Sequence, residues 1–81
     1  MKFNDDISVS ESGFVFDART GDSFSLNSTA IEILNLIKNG RTSNEIEEYF
    51  TMKYNVTQEL FKRHLDDYLQ MLHHYQIITN A

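Results

Sequence analysis

The chain has 81 residues, of which 41% are hydrophobic, and twelve acidic against seven basic residues give it a formal net charge of -5. This length fits one small domain with a modest core, and the negative charge disfavours binding to nucleic acid or to an anionic membrane surface. The chain has no cysteine, which excludes disulfides and thiolate sites. It also has neither an apolar run long enough to span a membrane nor the apolar core of a signal peptide, so we expect a cytoplasmic protein.

The first third of the chain carries three short predicted strands separated by glycine-containing turns. Residues 1–6 are polar, and we expect them to form a flexible N-terminus. Alternating or apolar segments predict strands at Ile7–Val9, Phe14–Phe16 and Ser23–Leu26. Because the connections are of hairpin length, the strands should form an antiparallel meander in which the third strand lies at an edge.

Three helices are predicted to follow, each with a recognisable start. Asn27 is placed as the N-cap of a helix over Ser28–Lys38, and Thr42 with Glu45 has the spacing of a capping box that opens a second helix through about Lys53. A third helix should span Gln58–His74 with Thr57 as its N-cap, followed by a short extended piece at 77–79. The positions predicted to face inward are Ala30, Ile33, Leu34 and Ile37, then Ile46, Tyr49 and Phe50, and finally Phe61, Leu65, Tyr68, Leu69 and Leu72. This order of elements predicts a small α+β domain.

Candidate catalytic, metal and cofactor residues are few. His64 and Asp67 lie one turn apart on the third predicted helix, a spacing that can orient an imidazole or begin a metal site, although a solvated surface pair is the favoured interpretation. His73 and His74 are adjacent, so a helix points them in different directions. Neither a Gly-rich phosphate loop nor a serine with a base beside it stands out. We therefore predict a non-catalytic protein without cofactor or metal.

The third predicted strand has the features of a peptide-docking edge. Residues Ser23–Leu26 contain no lysine, proline or obvious bulge, which are the usual protections against strand addition. An extended ligand can pair with such an edge while its side chains enter a groove beside a helix. His64, Asp67 and Met71, with Arg63, could line that groove on the third helix. Tyr68 and Met71 could equally complete the core, and that alternative stays open.

Two other protein classes fit parts of the sequence. A winged helix that reads DNA would place its third helix in the major groove, but Lys62 and Arg63 are outnumbered there by Glu59, Asp66 and Asp67, opposite to the usual charge of a DNA reader. An acyl carrier protein needs an Asp-Ser-Leu attachment site, which this chain lacks. A winged-helix interaction or DNA-binding regulatory domain is the alternative to peptide binding. The open edge allows a homodimer as well as a monomer.

Several short motifs together resemble the PqqD-like family over about residues 7–79. They are Ser25-Leu26-Asn27-Ser28-Thr29-Ala30, Ile33-Leu34, Asn39-Gly40-Arg41-Thr42 with Glu45-Ile46, Asp66-Asp67-Tyr68-Leu69-Gln70-Met71-Leu72, and Ile77-Ile78. The resemblance implies a three-stranded antiparallel sheet followed by three helices, related to winged helix-turn-helix domains. It also implies a recognition element that captures the leader of a ribosomally made precursor peptide and presents it to a separate modifying enzyme, such as a radical S-adenosylmethionine protein.

The resemblance further implies where the leader lies. It would add as a strand to the third strand and rest against the third helix, so the implied contact residues are Ser23, Phe24, Ser25, Leu26, His64, Asp67, Tyr68 and Met71. The chain departs from the family at Tyr75-Gln76, where a glycine is common between the last helix and the final apolar pair.

Overall fold

The structure is a computed structural model and describes residues 1–79. Its elements are β1 (Lys2–Phe3), β2 (Ile7–Val9), β3 (Phe14–Asp17), β4 (Ser23–Ser25), α1 (Ser28–Lys38), α2 (Ser43–Lys53), α3 (Gln58–His74) and β5 (Ile78–Thr79). Strands β2, β3 and β4 form an antiparallel sheet in that order, so β4 lies at an edge. The predicted α+β class and the three helices after the sheet are confirmed. Within the described residues, no helix combines the length and the apolar character that crossing a membrane requires.

The helices begin at the predicted caps. The Asn27 side chain accepts a hydrogen bond from the Ala30 backbone N–H at 2.8 Å, which satisfies one of the unpaired donors at the start of α1. Thr42 and Glu45 form a reciprocal capping box at the start of α2. Thr57 caps α3. Local sequence therefore fixes where each helix starts.

The core lies between the sheet and the three helices. Its buried side chains are Ile7, Val15, Ile33, Leu34, Ile37, Ile46, Phe50, Leu65, Leu72, Ile77 and Ile78. The prediction that Tyr49 faces inward is wrong, since 39% of this residue is exposed. Its hydroxyl donates to Glu32 Oε1 at 2.7 Å and joins α2 to α1. Buried alone, that hydroxyl would have to give up its hydrogen bonds to water, so it stays at the surface with an acceptor.

The N-terminus differs from the flexible segment that the sequence predicts for residues 1–6. Strand β1 pairs antiparallel with β5, and the Asn4 backbone N–H donates to the Ile77 carbonyl at 2.9 Å. The Phe3 side chain packs against the core, with Lys38 Nζ 5.8 Å from the centre of its ring. The Phe3 side chain and the backbone hydrogen bonds of β1 thus attach the polar N-terminal segment to β5.

Candidate functional site

The backbone hydrogen bonds between β3 and β4 determine which groups face the open edge. At one end of this ladder the Asp17 N–H donates to the Asp22 carbonyl, and at the other the Leu26 N–H donates to the Gly13 carbonyl, each at 2.9 Å. Directly opposed residues in an antiparallel pair alternate between hydrogen-bonded and non-hydrogen-bonded pairs. These two bonds therefore set the alternation for the residues between them.

The backbone polar groups that face the open edge of β4 belong to Ser23 and Ser25. Phe24 is opposite Val15 and falls on the hydrogen-bonded positions, whereas Ser23 and Ser25 fall on the non-hydrogen-bonded ones. The N–H and C=O groups of both serines consequently point away from β3, and their short side chains are exposed. This edge can accept the backbone of another extended segment.

A cavity of about 750 Å³ lies beside this edge, between β4, the β3–β4 turn and the C-terminal end of α3. It is lined by Asp17, Arg19, Thr20, Asp22, Ser23, Phe24, Met71, His74, Tyr75, Gln76 and Ile77. Its apolar wall combines partly buried Phe24 and Met71 with the buried Ile77. The Tyr75 ring lies 6.4 Å from the Phe24 ring, centre to centre. An apolar side chain of a ligand would therefore find both aliphatic and aromatic contacts there.

The polar wall of the cavity is organised by Arg19. Its Nε and Nη2 donate to the two carboxylate oxygens of Asp17 at 3.0 and 2.8 Å, and its Nη1 donates to Gln76 Oε1 at 2.8 Å. Nη2 also donates to the Tyr75 carbonyl at 3.2 Å. The hydrogen bond from the Arg19 side chain holds the pKa of the Asp17 carboxyl below its usual value. Arg19 thus ties the β3–β4 turn to the end of α3.

The structure brings only some of the predicted contact residues to this cavity. Ser23, Phe24 and Met71 line it, and Ser25 continues the open edge. The lining residues do not include Leu26, His64 or Asp67. His64 and Asp67 are exposed on α3, about one to two helical turns before Met71, and no cluster of metal-binding side chains occurs within residues 1–79.

Tyr68 makes a tertiary contact. Its hydroxyl donates to the Ala30 carbonyl at 3.0 Å, which links α3 to the first turn of α1. Burial raises the pKa of Tyr68 to about 12, because the ionised ring is poorly solvated there. This hydrogen bond gives Tyr68 a structural role that does not depend on a ligand.

We expect the substitution Tyr68→Phe to lower the free energy of unfolding by about 1 kcal/mol, since it removes one hydrogen bond to a carbonyl of α1. Urea unfolding would measure the change. Tyr75→Phe is the matched control, because Tyr75 is 57% exposed and its stability should not change. Equal stability of all three proteins would contradict the assignment of the Tyr68 hydroxyl.

Comparison with known proteins adds a family and a fold. The family model described as "Coenzyme PQQ synthesis protein D (PqqD)" matches residues 13–78. The solved structure of TbiB1 in complex with the TbiA(beta) leader peptide has a TM-score of 0.92 at 23% identity, with 100% of this chain and 98% of that chain covered. Lasso peptide synthetase B1 complexed with the leader peptide has a TM-score of 0.81 at 23% identity, with 91% of each chain covered. No curated protein matches the sequence significantly. At this level of identity, the structural likeness demonstrates a common fold.

Proposed function

The chain belongs to the PqqD family, and on this premise we propose that it is a non-catalytic peptide-binding protein. It captures the leader of a ribosomally made precursor peptide by strand addition to β4 and presents that precursor to a separate modifying enzyme. A radical S-adenosylmethionine protein is the proposed class of enzyme. The cytoplasm, where ribosomal precursors are made, is the proposed location.

The observation that carries the proposal is the open edge beside the cavity. The outward N–H and C=O groups of Ser23 and Ser25 offer up to four main-chain hydrogen bonds, each with a net contribution of about 1 kcal/mol. Successive side chains of an added strand point to opposite faces of the sheet. Every second side chain of the leader would therefore lie on the same face as Phe24 and enter the cavity, which supplies the selectivity that main-chain pairing lacks.

The structural neighbours support the same ligand class. TbiB1 and lasso peptide synthetase B1 are each in complex with a leader peptide, and this chain shares their fold over nearly its whole length. By contrast, the exposed charges of α3 give no support to a DNA-reading surface, because acidic residues outnumber basic ones there.

An NMR titration tests the proposal directly. The ¹⁵N-labelled protein would be titrated with synthetic peptides that correspond to the N-terminal halves of the short reading frames beside its gene, and with scrambled versions of each as controls. We expect one native peptide to shift the amide signals of Ser23, Ser25 and the cavity residues, and its scrambled form to shift none. The absence of amide shifts with every peptide would overturn the proposal, and binding to promoter DNA in the same assay would favour a regulatory domain.

A further inference from the structure

Gln76 has a backbone conformation that residues other than glycine rarely adopt. Its φ angle is +59°, in the left-handed region, and within residues 1–79 the other residues of positive φ are Gly13, Gly21 and Gly40. Gln76 directly follows Tyr75, the C-cap of α3. Glycine is the usual residue at this position because it adopts the left-handed conformation without a steric penalty. The glutamine therefore sits at a site where glycine would relieve strain.

The side chain of Gln76 makes one contact that glycine could not make. Its Oε1 accepts from Arg19 Nη1 at 2.8 Å, across 57 residues of sequence. The backbone carbonyl of Gln76 accepts from Asn4 Nδ2 at 2.9 Å, and a glycine would keep this second bond. What the glutamine adds over glycine is thus an acceptor for Arg19 Nη1.

This hydrogen bond acts on the wall of the cavity. Asp17 holds one edge of the guanidinium through Nε and Nη2, and Gln76 holds Nη1. Without the Gln76 side chain, Arg19 would keep Asp17 and the bond from Nη2 to the Tyr75 carbonyl, but Nη1 would lose its acceptor and the hold on the end of α3 would weaken. Since Arg19 and Gln76 both line the cavity, the weaker hold would leave the surface that receives the peptide less ordered before binding.

We propose that Gln76 is a positioning residue for peptide capture, which holds Arg19 in the cavity wall at the cost of backbone strain. The inference rests on the proposed function. It has a consequence that a merely structural residue would not produce: one substitution should raise stability and weaken binding together. Strained residues that persist only because neighbouring groups hold them are frequent at binding sites.

The test compares Gln76→Gly and Gln76→Glu with the wild-type protein. Gln76→Gly should raise the midpoint of thermal unfolding by a few degrees, because it relieves the strain, yet it should weaken binding about threefold to tenfold, the range expected when one long side chain has to be ordered on binding. Gln76→Glu keeps an acceptor for Arg19 and should bind within about twofold of wild type. Calorimetry would use the synthetic leader peptide that shifts the wild-type spectrum.

Two further measurements distinguish a failure of the role given to Gln76 from a failure of the proposed function. Glu32→Gln is a control for stability alone, since Glu32 accepts from Tyr49 and Lys53 between α1 and α2 and is not a lining residue; it should destabilise the protein without weakening binding. The Arg19 Nη1 hydrogen signals should broaden in the ligand-free Gln76→Gly protein, while the Nε–H signal, held by Asp17, should not. If no peptide binds wild type, the proposed function fails. If wild type and Gln76→Gly bind the same peptide equally, or Gln76→Gly is less stable, the role of Gln76 is overturned while peptide capture stands.

Discussion

Replacing Ser25 with proline is expected to weaken leader binding by at least about tenfold and to leave the protein folded. Proline removes the outward N–H of Ser25 and places a ring where the added strand would lie. The pairing of β4 with β3 does not use that N–H, because Ser25 is opposite Phe14 at a non-hydrogen-bonded position. Proline is tolerated on edge strands for the same reason. Loss of one hydrogen bond and displacement of its neighbours readily exceeds the 1.4 kcal/mol that corresponds to tenfold in affinity.

Two controls make this result specific to the β4 edge. Ser25→Ala keeps the N–H and should bind within about twofold of wild type. Val9→Pro places proline at the opposite edge of the sheet: the Ser10 N–H donates to the Phe14 carbonyl, so the alternation turns the Val9 N–H outward on β2. It should lose some stability, since Val9 packs against the core, but it should keep its affinity per folded molecule. Equal losses of binding in both proline variants would argue against strand addition to β4.

Most of the fold follows from local sequence. The helix starts depend on a cap and its partner three residues later, as at Asn27 with Ala30 and at Thr42 with Glu45. The sheet order follows from short connections and from alternation, which places Val15 inside with both flanking phenylalanines outside. Signals of this kind span only a few residues, so they can be recognised in a single sequence.

The features of the fold that could not be predicted from the sequence depend on contacts between residues far apart along the chain. Strand β1 exists because it meets β5 at the other end of the chain, and nothing in residues 1–6 indicates this. Tyr49 and Phe50 are both aromatic, and only the position of Glu32 on α1 explains why the tyrosine stays at the surface. Periodicity gives a helix face, but it does not reveal a polar partner on another helix.

The candidate site shows the same division. The edge strand was predictable, since it needed only the meander and the lack of protective residues at Ser23–Leu26. Of the α3 residues predicted to contact the peptide, Met71 alone lines the cavity, and the wall continues at His74 and Tyr75 about one turn further along. The spacing of these three by three and four residues was a usable signal for one helix face. The Arg19–Gln76 bond was not, because it joins a turn to a helix end 57 residues away.

Met71→Lys is expected to weaken leader binding by about tenfold, the second large effect. Met71 contributes to the apolar wall of the cavity, and a lysine there would either bury its ammonium group at a high desolvation cost or fill the space meant for the ligand. Burial of a methionine side chain is worth about 1.5–3 kcal/mol, and partial burial by the peptide would supply part of that. The protein itself should lose little stability, because Met71 is not among the fully buried core residues.

Met52→Lys separates the effect of the cavity from that of charge. Met52 is 87% exposed on α2, and its substitution adds the same single positive charge to a chain whose net charge is -5. If a change in overall charge governed binding, both lysine variants would alter affinity alike, and added salt would reduce the difference from wild type. If the apolar wall receives a leader side chain, only Met71→Lys should weaken binding, and salt should not restore it. Equal affinity of the two variants, measured by calorimetry at low and high salt, would remove the cavity from the binding site and leave the β4 edge as the sole proposed contact.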